Sequence, residues 1–278
     1  MTFSLRTPVP PACPEDLTEL EAWPTNLHCP RCGRDFARVE GIYDLLPREA
    51  PSGSSAQGAE LRRYQASFAE RRDRAWYQPL RLLTGSLANG YLYAWAARSV
   101  EAFAGSRALA LLDAGCGDGM LRYYLSVRHV YVGVDFAMRM LARARRYRPA
   151  TYFRADLNRL PFPNESFDAI VSLQALQYLD RPEVALAEMA RVLKPRGRLF
   201  LSLPNHQSFK YRWQGISSTQ VQHFNLASAT ALVSREFDCL ESSVRGFWVP
   251  LPHIPIHVGM QMPINQGVAL TIIATPKK

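Results

Sequence analysis

Residues 112–119 read Leu112-Asp113-Ala114-Gly115-Cys116-Gly117-Asp118-Gly119. The chain from Ala108 to Ala114 is almost continuously apolar, as a strand buried on both faces of a sheet requires. The backbone must then turn sharply. Gly115, Gly117 and Gly119 let it do so and approach a ligand with no Cβ in the way. A helix is expected to begin at about Met120. Open α/β sheets bind ligands where such loops leave the carboxyl ends of strands. The loop alone does not name the ligand, because dinucleotide-binding proteins carry similar ones. Their fingerprint, however, places a third glycine after two intervening residues, and Gly115 to Met120 lacks that spacing.

Downstream, apolar runs alternate with helical patterns, the signature of a parallel sheet wound with helices. Strands are expected at 130–135, 151–155, 167–173 and 198–203, with further ones near 240–248 and 268–274. Ala137, Met140, Leu141, Ala144 and Tyr147 make one apolar stripe of a helix. Leu186, Met189, Ala190 and Leu193 do the same for a second, which stops at Lys194-Pro195-Arg196-Gly197. A third helix covers about 226–236. Asp135 ends the second strand, placed for its carboxylate to accept from the two hydroxyls of a ribose. Asp156 ends the third, placed to accept from an adenine amino group. Phe136 and Leu157 stand beside these acids and can cover the faces of the ring. Either acid alone could be an ordinary strand-end cap; two in succession after a glycine loop point to a nucleoside.

The chain has 278 residues, 47% hydrophobic and 21% charged, a globular balance. Its formal charge is +9. That charge suits an anionic partner such as RNA, or an arginine-rich proteome that uses arginine for solubility. No apolar run approaches the roughly 20 residues of a membrane span, and the proline-rich start lacks a secretion signal's apolar core. A cytoplasmic location is therefore expected. Five cysteines, Cys13, Cys29, Cys32, Cys116 and Cys239, argue against a disulfide framework.

Three segments differ in texture: a proline-punctuated module at 1–49, a linker and arginine-rich helices at 50–104, and the α/β domain at 105–278. Within the second, residues 51–58 read as flexible linker. Tyr64, Tyr77, Tyr91, Tyr93 and Trp95 fall in this second segment, whose helices are expected to lead into the core and to form a lid.

Over about residues 108–205 the sequence resembles the type 11 family of class I S-adenosylmethionine-dependent methyltransferases. Four stretches carry the resemblance: Leu112 to Gly119, Val132 to Phe136, Ala155 to Ser172, and Glu188 to Gly197. The resemblance implies a Rossmann-like α/β fold, a seven-stranded sheet with helices on both faces and its last strand inserted antiparallel. It also implies S-adenosylmethionine as cofactor. Carried over by position, Asp113, Gly115 and Gly117 flank the methionine portion, Asp135 holds the ribose, and Asp156 and Leu157 meet the adenine. Ser172 and Leu173 line the path to the sulfonium. Arg196 departs from the family, which has glycine there, in what reads as a surface turn.

Methyl transfer asks mainly for alignment and exclusion of water, so no fixed catalytic residue is required. Gln174, Gln177 and Tyr178 are expected near the transferable methyl. His206 and His223 fall where an acceptor pocket is often built, with His223 the candidate base. A small-molecule acceptor, such as a quinone or phenol, is favoured by the core; RNA is the alternative. Arginines 139, 143, 145, 146 and 148 bear on RNA, but their helix face reads as solvated. A non-catalytic S-adenosylmethionine-binding protein is the third reading. The segment 249–266, with four prolines, two histidines and two methionines, reads as a stiff loop, since Pro255 between His253 and His257 spoils a metal pair.

Cys29-Pro30-Arg31-Cys32-Gly33 has the spacing of a zinc knuckle. Upstream, Cys13-Pro14-Glu15-Asp16 places Asp16 where a second cysteine would stand. Together with Gly41 to Pro47 the segment looks like the small zinc-ribbon modules fused ahead of some methyltransferases. Its ligand set would be Cys13, Asp16, Cys29 and Cys32, with His28 a substitute for Asp16. A ribbon that has lost its metal and holds by packing is the other reading.

Overall fold

The computed structural model describes residues 9–48, 90–214, 222–251, 254–261 and 267–277. The linker at 51–58, Tyr64, Tyr77, His253 and the end of the proline-rich segment lie outside the described residues.

Five parallel strands form the centre: β5 (Ala110–Ala114), β6 (Val130–Asp135), β7 (Thr151–Arg154), β8 (Phe167–Leu173) and β9 (Leu193–Pro204). Their alternation shows why the sequence had to be apolar on both faces. Leu112, Val132, Val134, Ile170, Leu199 and Leu201 enter one core cluster, and Leu111, Tyr131, Ala169, Val171 and Phe200 enter the other. Helices α3 (Pro182–Val192) and α5 (Leu226–Val233) cover the first face. Helices α1 (Gly90–Ala104) and α2 (Met138–Tyr147) cover the second. A short helix α4 (Phe209–Gln214) follows β9.

Strand β12 (Ala269–Pro276) inserts antiparallel between β9 and β10 (Phe237–Leu251). The order β7-β6-β5-β8-β9-β12-β10 is the expected seven-stranded arrangement. The strand count differs from expectation, because the described sheet holds twelve strands. At one edge β1 (Glu21–Ala22), β2 (Asn26–His28), β3 (Asp35–Val39) and β4 (Ile42–Asp44) continue it. Strand β4 pairs parallel with β7, Tyr43 opposite Phe153 and Asp44 opposite Arg154. At the other edge lies β11 (Ile254–Gln261).

Three local expectations are corrected. The helix expected at Met120 is a single 3-10 turn, Met120–Tyr123, because only six residues separate it from β6 and Gly119 enters it in a left-handed conformation. The stiff loop at 249–266 is in part a β-hairpin, with Pro250 opposite Pro255. Among the described residues β12 pairs with β10 only as far as Arg245, so beyond it β10 and β11 pair only with each other, at the sheet edge where proline is tolerated. The arginine face of α2 is not all solvated: Arg143 and Arg148 are 5% and 7% exposed. Both turn onto the buried carboxylate of Asp118, at 3.6 and 3.9 Å. Arg148 also donates to the Asp118 carbonyl at 2.6 Å, bracing the glycine loop from behind.

Candidate functional site

The glycine loop leaves β5 in left-handed geometry, with φ of 82° at Gly115, 54° at Gly117 and 70° at Gly119. Gly115 and Cys116 both donate to the Val134 carbonyl at 2.9 Å, folding the loop over the end of β6. A Cβ on Gly115 would lie 2.5 Å from Cβ of Ala175, so that glycine is where the loops after β5 and β8 touch.

Three acids end the three neighbouring parallel strands. Asp113 is buried and accepts the Tyr131 hydroxyl at 2.5 Å. Burial raises its pKa to about 7; Tyr131 opposes the rise, and Asp135 and Asp118 add to it. Asp135 accepts from the Gly117 N–H and the Ala137 N–H, each at 2.8 Å, one on each oxygen. Burial raises its pKa too, against the pull of those N–H groups. Each carboxylate oxygen keeps a lone pair beyond the one so used. Asp156 accepts from the Asn158 N–H at 2.9 Å and closes a tight turn with Arg159. Leu157, almost buried, faces Gly115, and Phe136 lies under the Arg154 guanidinium at 5.3 Å.

Ser172 is fully buried and donates to the Ala114 carbonyl at 2.9 Å, tying β8 to β5 just below the loop. Leu173 is half-buried beside it. Gln174 then takes φ of 55°, unusual for a residue with a side chain. It is held there by its N–H on the Ser202 carbonyl and its side chain on the Ser202 hydroxyl, both 2.9 Å. That bend buries Gln177, whose amide donates to the Gln174 carbonyl at 2.8 Å while its Oε1 accepts nothing from the described residues. A second carboxamide oxygen, Asn158 Oδ1 beside Asp156, is likewise buried without a donor. Two orphaned acceptors at the strand ends fit a ligand that brings N–H or O–H groups.

Across from Gln177, Gln222 donates its N–H to the Gln177 carbonyl at 3.1 Å. His223 follows, exposed, its ring centre 5.0 Å from that of His206, which lies 4.7 Å from Tyr211. His206 Nδ1 accepts the Phe224 N–H at 3.0 Å, so the neutral ring carries its proton on Nε2. Burial lowers the pKa of Lys210, which sits 5.4 Å over the Tyr211 ring.

Sequence reasoning missed Tyr131, the Asp118–Arg143–Arg148 group and the orphaned Gln177 oxygen. A tyrosine within a doubly buried strand is a readable signal, since its hydroxyl needs a buried partner. The others depend on contacts between distant segments. Cys116, buried in the loop, has its thiol pushed well up by burial and nearby acids, so it is no nucleophile.

In the loops before β1 and between β2 and β3, Cys13, Asp16, Cys29 and Cys32 bring their ligating atoms within 4.8 Å of one another. Cys13 and Cys32 sulfurs lie 3.7 Å apart, and Cys29 Sγ lies 3.7 Å from each Asp16 oxygen. An ion with bonds of about 2.3 Å to sulfur in a tetrahedron needs sulfurs about 3.8 Å apart. The Glu15 and Cys32 N–H groups point at the Cys13 and Cys29 sulfurs, each at 3.4 Å, which suits thiolates. His28 bonds to Asp35 at 2.8 Å instead, and is no substitute for Asp16. The donor set fits zinc.

Residues 112–201 match the family model described as a methyltransferase domain, type 11. Among curated relatives, the chain is 34% identical over 125 residues to a demethylmenaquinone methyltransferase of Renibacterium salmoninarum, covering 44% of this chain and 53% of that one. It is 36% identical over 114 residues to a malonyl-[acyl-carrier protein] O-methyltransferase of Erwinia pyrifoliae, covering 39% and 44%. The chain thus spans about half the length of the curated relatives it matches. Among solved structures, a methyltransferase of Thermotoga maritima superposes with a TM-score of 0.55 at 21% identity, over 76% of this chain and 99% of that one. A methyltransferase of Haloferax volcanii, solved with its Trm112 activator, gives 0.56 at 18% identity, over 78% and 97%. At these identities the structures show the fold.

Proposed function

We infer that this chain, whose residues 112–201 match the model of a methyltransferase domain, is a class I methyltransferase that transfers a methyl group from S-adenosylmethionine to a small-molecule acceptor. The observation that carries the reading is the set of three acids, Asp113, Asp135 and Asp156, at the ends of adjacent parallel strands around a left-handed glycine loop. The bound donor would supply a methyl carbon already activated by a sulfonium. Asp113, Gly115 and Gly117 flank its methionine part, Asp135 binds the ribose hydroxyls, and Asp156, Leu157 and Phe136 enclose the adenine. Ser172 and Leu173 line the way to the methyl. Alignment and exclusion of water by the loop after β8 then do most of the chemistry. His223 is the group we assign to proton removal where the acceptor is a phenol or enol.

The relatives named for small-molecule and carrier-bound acceptors favour that class. The inward turn of Arg143 and Arg148 takes two charges away from any RNA-binding face of α2. A direct test incubates the chain with methyl-labelled S-adenosylmethionine and, separately, a metabolite and lipid extract or total RNA. Label is expected in the extract fraction. Label in RNA alone would overturn the acceptor class, and label in neither, with the donor bound, would leave a non-catalytic binder.

The acids also set a pH dependence. Asp113 keeps its proton to about pH 7 because burial raises its pKa. A raised acid stabilises the fold fully below its unfolded value, and that stability is lost as pH rises through about 7. A cationic ligand binds the ionised form, so its affinity should climb between pH 5.5 and 8 and level off above. Thermal-shift titrations with S-adenosylmethionine are expected to show a larger ligand-induced rise in Tm at pH 8 than at pH 5.5.

The N-terminal cluster we read as a structural zinc site held by Cys13, Asp16, Cys29 and Cys32. Zinc there would cross-link two segments, 13–16 and 29–32, of a ribbon too small to hold a core of its own.

A further inference from the structure

The two residues that flank the first metal-ligating positions both grip the turn that begins at Asp156. Ala12, preceding Cys13, donates its N–H to the Pro161 carbonyl at 2.9 Å. Glu15, preceding Asp16, accepts Arg159 Nη2 on its carbonyl at 2.5 Å, and its carboxylate lies 3.7 Å from Arg159 Nη1. Arg159 is the residue that closes the turn on Asp156. Glu15 is itself held: its Oε1 accepts Arg34 at 2.9 Å and the Arg48 N–H at 2.7 Å.

A second line of contacts reaches the other side of the same pocket. Asp44 of β4 bonds to Arg154 at 2.8 Å, and the Leu45 N–H donates to the Arg154 carbonyl at 2.8 Å. Arg154 in turn donates from Nε to the Phe136 carbonyl at 2.9 Å and covers the Phe136 ring. The apolar side of the ribbon, Leu27, Phe36 and Leu45, belongs to the same core cluster as Leu157, Leu160 and Phe162.

We propose that the metal bound by Cys13, Asp16, Cys29 and Cys32 sets the affinity of the cofactor site, by fixing Ala12 and Glu15 as the outer clamp on the 156–161 turn. Arg159 is the positioning residue that transmits the coupling. The inference rests on the methyltransferase reading for its ligand, and on the donor set above for its metal. The turn has a second anchor, since Arg191 donates to the Leu160 and Phe162 carbonyls at 2.9 and 2.7 Å. Loss of the metal therefore loosens the turn without releasing it, and the effect is several-fold rather than total.

The test uses the full chain loaded with zinc, the same protein after chelation, and the Arg159→Ala variant. Zinc content, S-adenosylmethionine affinity by calorimetry and amide hydrogen exchange across 154–162 are read in each. One zinc per wild-type chain is expected, with affinity falling about 5-fold on chelation and returning when zinc is added. Arg159→Ala should keep its zinc, bind S-adenosylmethionine several-fold more weakly, and respond little to chelation. Exchange across 154–162 should quicken in the wild-type chain when zinc leaves, whether or not the cofactor is present. Absence of zinc binding would overturn the proposal. So would zinc that binds while its removal leaves both affinity and 154–162 exchange unchanged. A chain that shows zinc-dependent exchange but never binds S-adenosylmethionine would defeat the functional reading, and with it the effect on affinity, while the link from metal to turn stood.

Discussion

Asp135→Ala is expected to weaken S-adenosylmethionine binding by about 100-fold or more in a protein that still folds. The carboxylate joins two tasks. Its oxygens hold the Gly117 and Ala137 N–H groups at 2.8 Å, and so shape both the glycine loop and the entry to α2. Their remaining lone pairs would receive the ribose hydroxyls. Hydrogen bonds to a charged group contribute about 1.5–3 kcal/mol each, and 1.4 kcal/mol is tenfold in affinity. Losing two ligand bonds, with two loop N–H groups left unpaired, reaches that range. Calorimetry with circular dichroism as the folding check reads it. An Asp135→Ala protein that binds within threefold of wild type would remove the acid from the site.

Gly115→Ala is expected to cost both binding and stability. At φ of 82° an L side chain is strained by about 1–3 kcal/mol. The added Cβ also meets Ala175 Cβ at 2.5 Å, so the loop after β8 must move away from the loop after β5. Affinity should fall at least 30-fold on the order of magnitude set by that displacement, with Tm lower by roughly 4–8 °C. Gly105→Ala supplies the comparison, since Gly105 has φ of 58° with nothing within 4 Å of a Cβ. It should lower Tm while leaving S-adenosylmethionine affinity unchanged. Equal binding by Gly115→Ala and wild type would mean that the contact with Ala175 does not shape the pocket.

The parts of this protein that were legible in its sequence are those in which neighbouring residues decide the outcome. Strand β6 begins and ends where Val130 and Asp135 said it should, because an apolar run closed by an acid leaves little choice. Helix α3 stops at Val192, just ahead of Pro195 and Gly197. The quartet Cys13, Asp16, Cys29 and Cys32 was readable because knuckle spacing constrains where its ligands point, and the structure brings the four groups together. What could not be read depends on distant pairings. Nothing in Ile42-Tyr43-Asp44 announces that it will extend the sheet beside β7. Arg143 and Arg148 look like solvent arginines until Asp118, from another loop, is placed beneath them. Prolines 250 and 255 read as loop because proline breaks interior strands, and only their place in an edge hairpin excuses them. In the site, Asp135 and Asp156 were visible as a pattern and Asp113 came with the family resemblance; the bend at Gln174, which needs Ser202 from β9, was not.

On the reading proposed above, the strand ends around Gly115, Asp135 and Asp156 hold S-adenosylmethionine. Its most direct test is calorimetric titration of the zinc-loaded full chain with S-adenosylmethionine at pH 8. Saturable binding of one molecule per chain, displaced by S-adenosylhomocysteine, is expected. A folded, zinc-loaded chain that gives no saturable binding would contradict it.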